Sequence, residues 1–287
     1  MNGIVIIDKP AGWTSQDVVS KLRGVLHERR IGHGGTLDPM ATGVLPVFVG
    51  RGTRAVEFFE HAEKTYEAVL HLGITTDTED ITGAVLETRD VSISKEAFLG
   101  ILAQFRGEIQ QIPPMYSALK VNGQKLCDLA RKGKEVERKP RTITIHRLEC
   151  LEFDGVFAHL LVNCSKGTYI RTLCKDIGQA LGCGGCMESL RRVTAGAYTI
   201  EEAVPLQTLV DAENPESYLR PVDSMFTAYP AVTLTQKQTL RCKNGNSFSI
   251  DLPEGTYRAY SETGEFLMLA KVESGIMSTI KSFFEVN

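Results

Sequence analysis

Apolar and polar positions along the chain follow two periods. Between residues 65 and 72, Tyr66, Ala68, Leu70 and Leu72 fall on alternate positions, the period of a strand with one buried side. Uninterrupted apolar runs at 3–7 and 44–49 read as short buried strands. A helical period appears three times, each behind a residue able to cap a helix. Val18, Val19, Leu22, Val25 and Leu26 follow Thr14-Ser15; Ala97, Phe98, Ile101, Leu102 and Phe105 follow Ser94; Ile170, Leu173, Cys174, Ile177 and Leu181 follow Thr168. Residues 141–153 and 156–164 read as a hairpin turned by Asp154-Gly155.

Other stretches break these periods. Residues 106–140 hold no long periodic element and carry Pro113-Pro114, Gly123 and Gly133, a length of irregular chain that suits a binding arm. Pro205, Pro215 and Pro221 mark a seam at 205–224, after which short strand-like runs alternate with glycine turns. The expected division is therefore 1–225, containing an arm at 110–140, and a small β-rich module at 226–287.

Composition adds limits. With 43% hydrophobic and 23% charged residues, the chain has the make-up of a globular protein with a full core. No apolar run is long enough for a membrane span, and residues 1–10 lack the basic and apolar regions of a signal peptide, so a cytoplasmic location is expected. Seven cysteines, an odd number, do not suggest a disulfide framework. Cys183 and Cys186 have zinc-ligand spacing but no second pair, and a packing or turn role fits their flanking glycines. Net charge is −3, yet residues 110–195 hold fourteen Lys and Arg against eight Asp and Glu, a basic middle that could face a polyanion. The 226–287 module is near balance and gains no such support.

Three constellations could carry chemistry. His33 to Gly43 is a glycine-rich loop presenting Asp38, with Pro39 holding Asp38 out of the helical region and Gly34-Gly35 permitting close approach of a ligand backbone. It matches neither a dinucleotide-binding nor a phosphate-binding glycine loop. Arg171 stands near a helix N-terminus, against the helix dipole, where it calls for a carboxylate partner. Tyr66 opens a strand, where a ring can stack on a base. Each also reads as ordinary structure when taken alone: an Asp-Pro turn, a solvated arginine, a core tyrosine.

Together with Asp8-Lys9-Pro10-Ala11-Gly12-Trp13-Thr14-Ser15, Lys64-Thr65-Tyr66, the 76–83 segment TDTEDITG, the 111–123 segment QIPPMYSALKVNG, Ala130-Arg131-Lys132-Gly133, the 165–173 segment SKGTYIRTL and Leu190-Arg191-Arg192, these stretches resemble, in order, the bacterial tRNA pseudouridine-55 synthases of the TruB type. The glycine-rich stretch 182–187 departs from the family pattern. The resemblance implies an α+β (mixed α/β) fold: a catalytic domain on a central, mostly antiparallel mixed sheet flanked by helices and loops, plus a PUA-like C-terminal module. It implies an isomerase of uridine-55 in the T-loop that uses base flipping and needs neither metal nor organic cofactor. Asp38 would be the essential carboxylate, Tyr66 the ring stacked on the uracil and a candidate acceptor of its C5 proton, and Arg171 the partner that orients Asp38. His33, Tyr169 and Leu190 would contact the flipped nucleotide, with Lys9, Arg131, Lys132 and Arg191 as further substrate-binding residues. The implied partner is the T-arm of transfer RNA, bound by a monomer. Guided synthases usually carry extra basic tails, and the ending Phe283-Phe284-Glu285-Val286-Asn287 is not one, so no guide RNA is expected. The alternative is a tRNA-binding or folding protein using the same pocket without catalysis.

Overall fold

The computed structural model describes residues 1–121 and 123–285; Asn122 of the 111–123 motif and Val286-Asn287 at the chain end lie outside the described residues. The alternating run forms the strand Lys64–Leu72, which starts one residue earlier than its spacing predicts because Lys64 is itself buried. Among the described residues it is central in a ten-stranded sheet. Eight strands run in the order Val204–Pro205, Gly3–Lys9, Thr42–Val49, Gly185–Ala195, Lys64–Leu72, Phe157–Cys164, Arg141–Phe153 and Gly107–Gln111, while Ile31–His33 pairs with Thr42–Val49 and Tyr198–Thr199 with Gly185–Ala195. Most neighbours are antiparallel. Gly185–Ala195 instead runs parallel to Thr42–Val49, through Arg191 opposite Thr42 and Arg192 opposite Gly43. Gly43 has φ +101°, and a Cβ there would collide with the Arg192 carbonyl, so only glycine lets these strands meet.

The helices Ser15–Val25, Lys95–Leu102 and Ile170–Ala180 pack their apolar stripes into one core with the sheet, through residues such as Val18, Leu22, Phe98, Leu102, Leu173 and Ile177. Thr14 closes a capping box with Asp17, and Ser94 accepts from the Ala97 amide, each cap worth about 1 kcal/mol. The expected cap at Thr168 is different. Its hydroxyl donates to the Ser165 carbonyl, closing a turn, and Tyr169 becomes the N-cap without a side-chain cap bond. Gln111 takes over at that end, accepting from the Tyr169 amide at 2.8 Å and donating to its carbonyl at 3.0 Å. This amide bracket also ties the base of the 106–140 stretch to the helix.

That stretch is ordered in short pieces: the strand Gly107–Gln111, a small hairpin of Lys120–Val121 with Gln124–Lys125, and the helical turn Leu126–Ala130. In the divergent 182–187 segment, Gly178 of the Ile170–Ala180 helix lies so close to Gly184-Gly185 that a Cβ would strike their backbone. Glycines there allow the helix to seat against the sheet. The Cys183 thiol faces the Gly178 and Gly184 carbonyls, all seven cysteines are free, and no metal-binding cluster occurs among the described residues.

A second, curled sheet has the order Ala231–Thr233, Gly255–Tyr260, Phe266–Glu273, Ile276–Ser282 and Phe248–Ser249, consistent with a PUA-like fold. It is not loosely tethered. Leu269 and Phe283 join Ile4, Phe48, Phe59, Val222 and Phe226 in a cluster shared with the central sheet, with Phe226 and Phe283 ring centroids 5.8 Å apart. No helix is long and apolar enough to cross a membrane among the described residues.

Candidate active site

The sequence from Lys9 to Ser15 returns over the sheet edge and grips the loop that carries Asp38. Ser15 Oγ accepts from the Leu37 amide at 2.8 Å and lies 3.2 Å from the Leu37 carbonyl. The Gly12 amide and Lys9 Nζ both donate to the Pro39 carbonyl, at 2.8 and 3.3 Å. The loop closes on itself where the Ala41 amide donates to the Asp38 carbonyl, with Pro39 setting the turn. At the loop's ends Arg192 donates to the carbonyls of Gly35 and Val44, at 3.1 and 2.7 Å. Asp38 thus stands on a short segment held at residues 35, 37, 39 and 44.

Arg171 meets it from the opposite wall. Its Nε donates to Asp38 Oδ2 at 2.9 Å and its Nη2 reaches Oδ1 at 3.4 Å, a two-pronged grip. Arg171 is 5% exposed, so its other donors also need partners. Nη1 donates to the Thr78 carbonyl at 2.9 Å and lies 3.7 Å from Asp80, and Nη2 donates to the Tyr116 carbonyl at 2.8 Å. The acidic 76–83 segment supplies this scaffold. Asp80 is fixed by the Thr78 and Thr82 hydroxyls and the Thr82 amide, and Glu79 binds Thr172 and Lys175 on the arginine's own helix.

These groups line a cavity of about 1070 Å³ that also takes in Tyr66, Tyr169, Leu190, Arg192 and, from the arm, Ser117 and Arg131. Asp38, Tyr66 and Arg171 are therefore brought together, as are Tyr169 and Leu190. Burial raises the pKa of Tyr66, against the opposing effect of the nearby Arg192 guanidinium, so the phenol is neutral at ordinary pH. Tyr169 is raised in the same sense, again by burial first. Within one cavity, then, a neutral aromatic surface accompanies a carboxylate held by a guanidinium.

Other expected site residues are placed differently. Lys9 is wholly buried, with Nζ donating to the Pro10, Trp13 and Pro39 carbonyls; it holds the loop and has no surface for a substrate. Arg191 points to the other side of its strand, pairs with Asp8 at 2.8 Å and lines a separate cavity of about 430 Å³ with Trp13 and Lys21. The residue facing the Asp38 cavity is its neighbour Arg192. Strand alternation holds the clue, since Leu190 and Arg192 share a face that Arg191 cannot. His33 does not line the cavity. Its Nδ1 is buried without a hydrogen-bond partner, and burial, then Arg192, lowers its pKa toward a neutral ring. Lys132 is exposed outside the cavity wall, on the arm beside Arg131. Gly34 and Gly35 both line the cavity, and packing adds its own demand at Gly34, where a Cβ would lie 2.6 Å from the Phe59 ring. Arg192, Lys64, Asp80, Ser15 and Gln111 all lie within the motif stretches read from the sequence, but none of them was given a role at the site.

Comparison with known proteins gives an independent finding. Residues 23–170 match the TruB family pseudouridylate synthase N-terminal domain, and residues 171–227 match the tRNA pseudouridylate synthase B C-terminal domain. A tRNA pseudouridine synthase B of Clostridium kluyveri is 43% identical over 99% of this chain and 100% of the relative. One of Dechloromonas aromatica is 46% identical over 91% of this chain and 89% of the relative. Among solved structures, a Cbf5-Nop10-Gar1 complex contains a chain that is 26% identical with a TM-score of 0.73, covering 98% of this chain and 85% of that one. A chain of an archaeal box H/ACA sRNP Nop10-Cbf5 complex is 26% identical with a TM-score of 0.70, covering 98% and 86%.

Proposed function

The chain belongs to the TruB family of pseudouridylate synthases, and from that premise we propose that it isomerises uridine-55 in the T-loop of transfer RNA to pseudouridine. It is an isomerase of the intramolecular-transfer kind. The observation that carries the reading is the Asp38 carboxylate gripped by Arg171 inside a cavity shared with Tyr66. A protein that only bound or folded transfer RNA would have no need of a buried arginine gripping both oxygens of a cavity carboxylate, so that alternative is not favoured.

The reaction breaks the bond from uracil N1 to C1′, turns the base, joins C5 to C1′, and exchanges protons so that C5 loses one and the freed N1 gains one. Atoms and electrons are conserved. Asp38 acts at the sugar, and Arg171 fixes its direction. Tyr66, a neutral phenol, stacks on the extruded base, an interaction worth about 1–3 kcal/mol. That offsets part of the few kcal/mol needed to take a nucleotide from its stack. Tyr169 and Leu190 complete the pocket, and Arg131 and Lys132 on the arm hold the RNA backbone. We assign 1–225 as the catalytic domain and 226–287 as a PUA-like module that adds RNA surface. The substrate is read without a guide RNA by a monomer, and a chain acting on transfer RNA works in the cytoplasm.

The test is direct. Incubation with a single T-arm hairpin, followed by mapping of the modified base, is expected to give pseudouridine at one uridine. Asp38→Ala and Asp38→Asn should abolish product while hairpin binding survives. Turnover by either purified variant would remove Asp38 from its role.

A further inference from the structure

Two of the three buried cations on the cavity wall have no anion among the described residues. Arg192 is 1% exposed and Lys64 9%, yet neither has a carboxylate within ion-pair distance among the described residues. Arg171, equally buried, has both Asp38 and Asp80. The two unpaired groups lie on neighbouring strands of the sheet, where Arg192 is opposite Tyr66 and Lys64 opposite Ala195. Arg192 is engaged only with carbonyls and sits beside the Tyr66 hydroxyl. Lys64 donates to the Ala62 carbonyl at 2.5 Å and lies 5.8 Å from the Phe59 ring centroid, leaving ammonium donors unused. Lys166 joins them on the cavity wall, where Glu60 is the exposed acid of the rim. The whole wall carries five basic side chains, Lys64, Arg131, Lys166, Arg171 and Arg192, against three acidic ones, Asp38, Glu60 and Asp80.

Burying a cation without a counter-charge is costly, and two cations within reach of each other cost more. The strain registers at Lys64, whose pKa is lowered by burial first and by Arg192 second. A protein keeps such a pair where a ligand supplies the missing charge. We propose that Lys64 and Arg192 form a subsite for one backbone phosphodiester of the RNA, adjacent to the extruded uridine. The proposal rests on the RNA substrate argued above. A flipped nucleotide necessarily carries its two flanking phosphates toward the cavity, and each brings one negative charge and acceptor oxygens at a fixed distance from the base. Binding there positions the nucleotide over Asp38, because Arg192 also holds the two ends of the Asp38 loop.

The experiment uses T-arm hairpins in which one linkage, on the 5′ or the 3′ side of the target uridine, is an uncharged methylphosphonate. Binding is measured for the wild type, Lys64→Met and Lys64→Arg, and conversion of the all-phosphate hairpin is followed in parallel. For the wild type, one of the two neutral linkages should raise Kd by about ten-fold. Lys64→Met should lose about as much on the all-phosphate hairpin and nothing further on that neutral one, the non-additivity of groups in contact. Lys64→Arg should keep the wild-type sensitivity. If neither neutral linkage weakens wild-type binding, or if the losses from Lys64→Met and the neutral linkage simply add, the subsite does not exist and Lys64 is structural. Conversion of the all-phosphate hairpin by an enzyme indifferent to both linkages would sink the subsite alone. No conversion and no binding of that hairpin would remove the RNA reading and the subsite with it.

Discussion

The floor of the cavity and the arm beside it are both rich in basic side chains, which they use in opposite ways. At the floor, Arg171 lines the cavity and Lys9, outside it, braces the Asp38 loop; both are buried with their donors engaged by protein, three carbonyls for Lys9 and a carboxylate and two carbonyls for Arg171. On the arm, Arg131 is 73% exposed with only Asp128 nearby at 3.7 Å, and Lys132 is exposed beside it. Charges locked into carbonyls set geometry, whereas charges left in water meet phosphate and exchange counterions. Floor substitutions should therefore fall on kcat and be nearly insensitive to salt. Arm substitutions should fall on KM and carry the salt dependence.

The largest effect that separates the two, short of removing Asp38 itself, is at Arg171. Lysine keeps the charge but cannot reach both Asp38 oxygens and the Thr78 and Tyr116 carbonyls together. Arg171→Lys should lower kcat by about 10²-fold or more, the cost of a carboxylate misplaced by about an ångström. KM for the hairpin should change little. Single-turnover and steady-state kinetics distinguish the two, and a loss confined to KM would erase the contrast between floor and arm.

Lys9 should show a smaller effect with a pH signature. Burial pushes its ammonium down to about 8, despite the raising influence of Asp38. Below that pH it offers three donors for three carbonyls; above it the neutral amine offers two, and the Pro39 contact is the longest. The wild-type kcat should fall as pH rises through about 8, and Lys9→Met should have a kcat lower by about ten-fold with no such limb. The sign for stability is opposite. Between about pH 8 and the ordinary lysine value the unfolded chain holds a proton that the folded one lacks, so this residue's contribution to stability rises with pH. An alkaline loss of activity with no loss in melting temperature would locate the effect in the loop; an alkaline limb that persists in Lys9→Met would assign it elsewhere.

How much of this was legible in the sequence depends on the range of the interaction. Alternation placed Tyr66, Ala68, Leu70 and Leu72 on the buried side of one strand, helical spacing found the stripes around Leu22 and Ile177, and Asp154-Gly155 marked the hairpin, because local sterics govern all three. The opposed charges of Asp38 and Arg171 were readable because an arginine at a helix N-terminus lacks a local reason. Contacts made by folding were not. Whether Lys9 ends in solvent or on the Pro39 carbonyl is decided by how residues 9–15 cross the loop. Whether Arg191 or Arg192 faces the cavity is decided by register, since one step along a strand exchanges its faces. The packing demand at Gly34 was not legible, because the Phe59 ring against it arrives from 25 residues away in the chain.

The smallest predicted effect tests the arm directly. Arg131 and Lys132 follow the helical turn Leu126–Ala130, whose Leu126 and Leu129 are buried, so replacing the exposed side chains should leave the arm's anchorage intact. The base of the arm is fixed independently by the Gln111 bracket at Tyr169 and by Arg171 at the Tyr116 carbonyl. Arg131→Gln and Lys132→Gln should each raise KM a few-fold at low salt, leave kcat near normal, and reduce the slope of log Kd against log salt by about one. A residue acting through phosphate loses its advantage as salt rises, so wild type and variant should converge at high ionic strength. Parallel salt plots, offset but never converging, would mean that these side chains shape the cavity and that the arm works as the floor does.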